Sequence, residues 1–199
     1  MEHTLRSAVE HRRSRYAIDK QVAVSDGRIR ELIEHAVKHV PSSFNVQSSR
    51  TVLLLGEQHT RLWSIVRETL RTIVPADAFE GTAQKLDAFD AGYGTVLFFE
   101  DQSAVGALQA QFPLYKDNFP IWSLQSNGML EYVVWTALSA EGLGASLQHY
   151  NPLIDDEVKR IWQLPAEWKL LAQMPFGNPT AEPDAKQFAP LEGRFKVFK

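Results

Sequence analysis

Two short polar segments carry residue types that could do chemistry. In HRRSRY, residues 11–16, the arginines Arg12, Arg13 and Arg15 surround Ser14. A guanidinium is a planar fork of N–H donors that matches phosphate oxygens, and a serine hydroxyl adds a short donor. In PSSFNVQSSR, residues 41–50, Ser42, Ser43, Asn45, Gln47 and Ser48 supply amides and hydroxyls. Such a set suits the edge of a heterocycle with alternating carbonyl and N–H groups. Each segment also has a plainer reading. A basic run at a helix end complements the helix dipole, and serine and asparagine after a helix serve as capping and turn residues. His35 and His39 lie four apart on one helix, but they share its polar face with Arg28, Glu31 and Lys38 and read as solvated surface.

Other chemistries lack their parts. No GxGxxG turn follows a strand: GYGTVLF precedes one and GLGASLQ follows a helix, the wrong order for cradling a pyrophosphate. There is no Walker loop, HExxH or GxSxG, which argues against P-loop nucleotide hydrolysis, zinc proteolysis and serine hydrolysis. The chain has no cysteine, hence no disulfide, thiolate ligand or thiol nucleophile.

With 199 residues, 44% hydrophobic and 23% charged, the composition suits one large core, and residues 1–199 are expected to form a single domain. A net charge of −3 gives no general attraction to nucleic acid or to an anionic membrane. The stretch MEHTLRSAVEHRRS has no apolar region of secretion-signal type, and apolar runs such as VLLLG and TVLFF are far too short to span a bilayer. The expectation is a soluble, cytoplasmic protein.

The elements that must position the polar segments alternate between helix and strand. Ser25 and Asp26 offer caps to a helix with an apolar stripe at Ile29, Leu32, Ile33, Ala36, Val37 and Val40, ending at Pro41. A buried strand over residues 51–55 and a helix carrying Leu62, Ile65, Val66, Leu70 and Ile73 follow. A more polar helix covers residues 77–89, TVLFFE forms a second strand, and residues 101–111 read as weakly helical. FPLYKDNFP is expected to be an exposed loop able to line or cover a pocket. The following helix, over residues 121–141, is apolar on more than one face, as a core or a subunit interface requires. ASLQHY reads as a third strand, then a short helix over residues 155–162 and a strand over residues 168–174, and GRFKVFK as a terminal strand.

The order of these landmarks resembles the FMN-dependent nitroreductase family. An RRSxR-like element precedes a PSxxNxQ loop; a long apolar helix ends in GLGAS; MPFGNP supplies a P-x-G-x-P element at Pro175, Gly177 and Pro179; and Arg194 stands just before the C-terminus. WSLQSNGML followed by GLGASLQHYNP is most similar to the subfamily of the fungal fatty-acid-repression proteins and small bacterial relatives. The resemblance spans essentially the whole chain. It implies an α+β fold, an antiparallel-dominated sheet flanked by helices, in an intertwined homodimer whose C-terminal tail reaches across to the partner. FMN would lie at the subunit interface. Arg12, Arg13 and Ser14 match the element that contacts its phosphate and ribityl end, and Arg194 matches a C-terminal basic residue that also binds phosphate. Asn45, Gln47 and Ser48 match the loop that bonds the ribityl chain and the ring edge, commonly from the other subunit. Ser146, Leu147 and Gln148 match the segment beside the flavin.

The chain departs from the family pattern at Tyr16, where a basic residue is common, at Ser48 and Ser49, where Pro-Trp is common, and at Glu192, where a lysine is common. These departures bear on flavin affinity and potential. The activity implied is ping-pong hydride transfer from NADH or NADPH, through flavin N5, to a nitroaromatic or quinone, with Phe112, Tyr115, Phe119 and Trp122 as candidates for the cleft wall. The alternative is a flavin-binding redox or lipid-signalling regulator with little turnover.

Overall fold

The computed structural model describes residues 4–199, so the first three residues of the N-terminal stretch lie outside it. A short helix α1 (Leu5–His11), capped by the Thr4 side chain, ends as the arginine run begins. After the two-residue strand β1 (Ile18–Asp19), Ser25 Oγ accepts the Arg28 N–H and opens α2 (Asp26–His39). That helix buries Ile29, Ile33 and Ala36, one turn apart on a single stripe. It ends at Val40, where the following Pro41 disfavours helical backbone.

Strand β2 (Ser49–Leu55) begins two residues earlier than its apolar run suggests. Gly56, at φ 54, turns the chain into α3 (Glu57–Arg71). Next come α4 (Phe79–Asp90), β3 (Gly94–Asp101) and α5 (Gln102–Gln111). The chain continues through α6 (Phe119–Ala140), β4 (Gly144–Ala145), α7 (Asp155–Trp162) and β5 (Trp168–Pro179). The sheet order is β1-β5-β3-β2 with β4 also on β5, and every strand pair is antiparallel. The expected class, an antiparallel sheet with flanking helices, is the one observed.

Strand β3 is buried on both faces, which explains why TVLFF is continuously apolar. Val96 and Phe98 enter a core with Ile29, Ile33, Leu130 and Val134 from α2 and α6. Leu97 and Phe99 enter a second core with Leu62, Trp63, Phe89 and Val158 from α3, α4 and α7. On β5, Leu170 lies in the second core and Ala172 in the first, although residues two apart in a regular strand share a face. The pairing explains it. Phe99 pairs with Leu170 and Phe98 with Ala172, so Leu171 is an extra residue that reverses the alternation.

Three expectations are corrected. ASLQHY contributes only β4 and an isolated bridge between Gln148 and Gln173, because Tyr150 N–H already turns away to the Gln173 side chain at 2.7 Å. Residues 112–120 are not a loop throughout. Pro113–Tyr115 makes one 3-10 turn, and α6 has started by Phe119, a buried ring. GRFKVFK forms no strand, since none of this chain's strands pairs with it. MPFGNP, by contrast, lies inside β5. Among the described residues, no helix is long and apolar enough to cross a membrane.

Gly177 is where β5 meets β1 most closely. A Cβ there would sit 2.4 Å from the Asp19 carbonyl oxygen and 3.1 Å from the Tyr93 nitrogen, both backbone atoms that cannot step aside. Gly177→Ala is expected to cost about 2–4 kcal/mol. Chemical denaturation should show a lower midpoint at unchanged slope. Gly81→Ala, with open space around its Cβ in α4, should instead gain up to about 1 kcal/mol.

Candidate functional site

Two of the arginine-segment residues are set in place by β4. Arg15 N–H donates to the Ala145 carbonyl at 2.9 Å, and Ser14 forms a parallel bridge with the same residue. Gly144 permits the approach, since a Cβ there would lie 3.1 Å from Arg15 Cβ. Ser14 and Arg15 are thereby laid against Ala145, directly before the segment of residues 146–148. Ser146 and Gln148 are buried, with Gln148 Nε2 donating to Ser146 Oγ at 3.0 Å, and Leu147 is half-buried between them.

The guanidiniums converge on a cleft of about 510 Å³ shared with residues 181–186 of the tail. The Arg12 guanidinium stacks 4.3 Å from the Trp135 ring and 5.6 Å from that of Tyr132, both on α6. Arg13 Nη2 donates to the Asp184 carbonyl at 2.6 Å. Arg15 donates to the Ala181 carbonyl and to the Glu182 carboxylate, holding that carboxyl below its usual range. Two donors have no partner although both are shut off from solvent: Arg12 Nε and Trp135 Nε1. A buried N–H without an acceptor costs about 1–3 kcal/mol. Arg12 lines this cleft, and Trp135 packs against its guanidinium without lining the cleft itself.

Residues 41–48 lie elsewhere. Of these, Pro41, Ser42 and Gln47 line a different cleft of about 480 Å³ with Ile33, Val37, Arg50 and Trp168. Phe44, Asn45 and Gln47 all have φ near +50°, a left-handed backbone that costs about 1 kcal/mol or more for a side chain with a Cβ. Local bonds hold it. Gln47 N–H donates to Ser42 Oγ at 2.9 Å, and Arg50 donates to the Gln47 carbonyl at 2.6 Å. Rings hold it from above: Phe44 touches Phe112, Phe119, Tyr115 and Trp122, with centroids 4.9 to 6.4 Å apart. The result leaves the Asn45 and Gln47 side chains exposed.

Arg12, Arg13 and Ser14 thus share one cleft and Ser14 reaches Ala145, next to Ser146, but residues 146–148 do not line that cleft, and neither do Asn45 and Gln47. Ser48 is completely buried beneath the loop and presents nothing to either cleft. Arg194 sits in an exposed turn of the tail, its N–H bonded to the Leu191 carbonyl at 2.8 Å, and does not line the arginine cleft. Sequence reasoning missed Trp135, Tyr132 and Phe44, because aromatics on a helix or in a loop carry no polar signature. Arg15 lay in the quoted motif, and its spacing could have included it. His35 and His39 stack on each other at 4.4 Å, and no group of three metal-ligating side chains exists among the described residues.

The fold is thus a helix-flanked antiparallel sheet that carries an arginine cleft and a separate amide loop. The nitroreductase family model matches residues 9–178, and the chain belongs to that family. Nitroreductase CinD from Lactococcus lactis, solved with chloramphenicol, is 44% identical at a TM-score of 0.91, covering 98% of this chain and 100% of that one. The same protein has been solved with nicotinic acid and with 4-nitrophenol. Nitroreductase FRM2 of Saccharomyces cerevisiae is 31% identical over 184 residues, 92% of this chain and 91% of the yeast protein. A Desulfovibrio desulfuricans protein solved with FMN is 20% identical at a TM-score of 0.69, covering all of both chains, and shares the fold.

The strain at Phe44 can be separated from its ring contacts. Phe44→Ala loses the rings and keeps the left-handed cost, whereas Phe44→Gly loses the rings and relieves that cost. Both variants should be less stable than the parent, with the glycine variant the more stable of the two by about 1 kcal/mol. Thermal melts of the three proteins measure the ordering.

Proposed function

We propose that this protein is an FMN-dependent oxidoreductase that uses NADH or NADPH to reduce nitroaromatic or quinone compounds, with residues 1–199 acting as one domain in a cytoplasmic homodimer. The observation that carries it is the arginine cleft with the unpartnered Arg12 donor. A phosphate group accepts several hydrogen bonds at once, so Arg12, Arg13, Arg15 and Ser14 fit the phosphate end of FMN. Arg12 Nε, otherwise without a partner, is a further donor on the lining of that cleft. When bound, FMN would supply the hydride chemistry, taking it from the nicotinamide and giving it to the acceptor in alternating half-reactions. The protein's own residues bind, orient and exclude water. Ser146, Leu147 and Gln148 would form the wall beside the ring, and Asn45 and Gln47 would bond its polar edge.

A second copy of the chain completes this arrangement. The α6 residues Ile121, Leu124, Met129, Tyr132 and Val133 stand 38–56% exposed along one face, an apolar stripe that water-facing helices avoid. The tail exposes Phe188, Leu191, Phe195, Val197 and Phe198 and pairs with no strand of its own chain, while β2 is a sheet edge. Pairing two chains across α6, with each tail crossing to the other, would cover both and would carry each loop of residues 42–47 to the partner's arginine cleft. Arg194, remote from the cleft here, would be repositioned with the tail. The ligands of the CinD structures, chloramphenicol, 4-nitrophenol and nicotinic acid, support a slot for small aromatic rings, and Phe112, Tyr115, Phe119 and Trp122 are placed to line it.

Protein incubated with FMN and desalted should be yellow, and should oxidise NADH or NADPH when a nitroaromatic is present. Arg12→Ala should weaken FMN binding at least tenfold, read by flavin fluorescence, since tenfold corresponds to about 1.4 kcal/mol and charged hydrogen bonds contribute that much or more. Met129→Asp should yield monomers in light scattering and lose FMN with them. A colourless protein after the same incubation, or an Asp variant that stays dimeric and yellow, contradicts the assignment. Tight FMN binding with negligible turnover would instead indicate the regulatory alternative.

A further inference from the structure

One segment of this chain occupies part of the arginine cleft itself. At the end of β5, Pro179 pairs with Ile18, and the Thr180 N–H donates to the Ala17 carbonyl at 2.9 Å, which fixes the root of the tail beside the arginine run. Residues 181–186 then line the cleft without forming a helix or a strand. Two guanidiniums hold them there. The Ala181 carbonyl and the Glu182 carboxylate accept from Arg15 at 3.2 and 3.0 Å, and the Asp184 carbonyl accepts from Arg13 at 2.6 Å.

The segment is a weak match for these donors. The Ala181 and Asp184 acceptors are neutral carbonyls, and a hydrogen bond with an ionised acceptor is about twice as strong. The charged acceptor, Glu182, is 87% exposed at its side chain against 9% for Arg15, so solvent screens the pair. Arg12 Nε, on the same cleft, has no acceptor. A phosphate monoester carries close to two negative charges and three strong acceptor oxygens on one atom. Bond for bond, it is the better partner for the same guanidiniums. What favours the segment is proximity. Rooted at Thr180, it meets Arg13 and Arg15 within one chain, at an effective concentration on the order of millimolar.

We propose that residues 181–186 are a built-in competitor for the arginine cleft: they cover Arg13 and Arg15 until a phosphate monoester displaces them, so that filling the cleft releases the root of the tail. A site that is covered part of the time binds more weakly in proportion to the fraction covered. The segment thus sets the apparent affinity of the cleft, and its release frees the stretch that carries the exposed Phe188 and Leu191. The proposal rests on the FMN reading above for whose phosphate enters; the competition itself needs only the phosphate group.

The test uses the full chain and two readouts. Because the sequence has no cysteine, Ala185→Cys, at an exposed position of the segment, takes a single spin label. Adding FMN should sharpen the label's spectrum as the segment leaves the arginines, and riboflavin, which lacks the phosphate, should not. Affinity is the second readout. Glu182→Ala should bind FMN about two- to fivefold more tightly, the range of an exposed ion pair. Asp184→Ala is the control, since Asp184 meets Arg13 through its backbone carbonyl and its side chain adds only charge to the same cleft. It should change affinity less than Glu182→Ala does. Glu182→Ala binding no more tightly than Asp184→Ala, or FMN bound with the label unchanged, overturns the proposal. If wild type binds no FMN, the functional reading has failed, and inorganic phosphate against chloride at equal ionic strength decides the competition. Sharpening with phosphate alone upholds it; sharpening with neither or with both overturns it.

Discussion

Helix α6 buries Leu130, Val134 and Leu138 in the core, yet it also buries polar residues near its start and exposes apolar ones, and the arrangement of the molecule depends on that partial inversion. Ser123, Ser126 and Asn127 are inside; Ile121, Leu124 and Met129 are outside. The buried serines cost little because each returns its hydroxyl to the helix backbone, Ser123 to the Pro120 carbonyl at 3.0 Å and Ser126 to the Trp122 carbonyl at 2.9 Å. Asn127 bonds outward to β3 instead. A helix of 22 residues runs about 33 Å, long enough to touch every part of the candidate site. Its start holds Phe44 through Phe119 and Trp122, its middle holds Glu100 through Asn127, and its second half holds Arg12 through Tyr132 and Trp135.

Much of this was legible from residues alone, and the misses have physical causes. The α2 stripe and the buried β3 run were readable because local periodicity and tertiary burial agree there. The surplus apolar character of α6 was readable too, but not the burial of its serines, since a hydroxyl satisfied by its own helix leaves no trace in a hydrophobic pattern. The length of β5 was underestimated because prolines at 175 and 179 look like strand breakers. ASLQHY alternates well enough for a strand, yet Gln173 spends its side chain on Tyr150 and leads that segment off the sheet. GRFKVFK has strand chemistry without a local edge to join.

For the candidate site, the polar segments were visible and their meeting was not. Arginine and serine types at residues 12–15 suggest an anion whatever the fold, because their donors are intrinsic to the side chains. That the run lies against β4 depends on Gly144 and on a backbone bond from Arg15, neither of which composition reveals. Ser48 shows the reverse case. Its type and place in the loop suggest an outward donor, but at the entry to β2 it is turned fully inward, toward Glu100. Sequence reading cannot resolve one residue's parity at a strand's first position.

The charge of the arginine cleft separates a binding role from a merely structural one. Arg12, Arg13, Arg15 and Lys186 line it against Glu182 and Asp184, a local positive excess in a chain of net charge −3. The tail neutralises it poorly. Asp184 meets Arg13 through its backbone carbonyl, and the Glu182 side chain that meets Arg15 is 87% exposed, so this ion pair contributes little to stability. Arginines recruited only for packing tend to be matched by carboxylates of comparable burial. Here Arg15 is 9% exposed while its partner is almost free, and Arg12 keeps a buried donor unspent. That mismatch favours the proposed reading of the cleft, in which an anion of more than one charge would complete it and the tail residues would yield its outer edge.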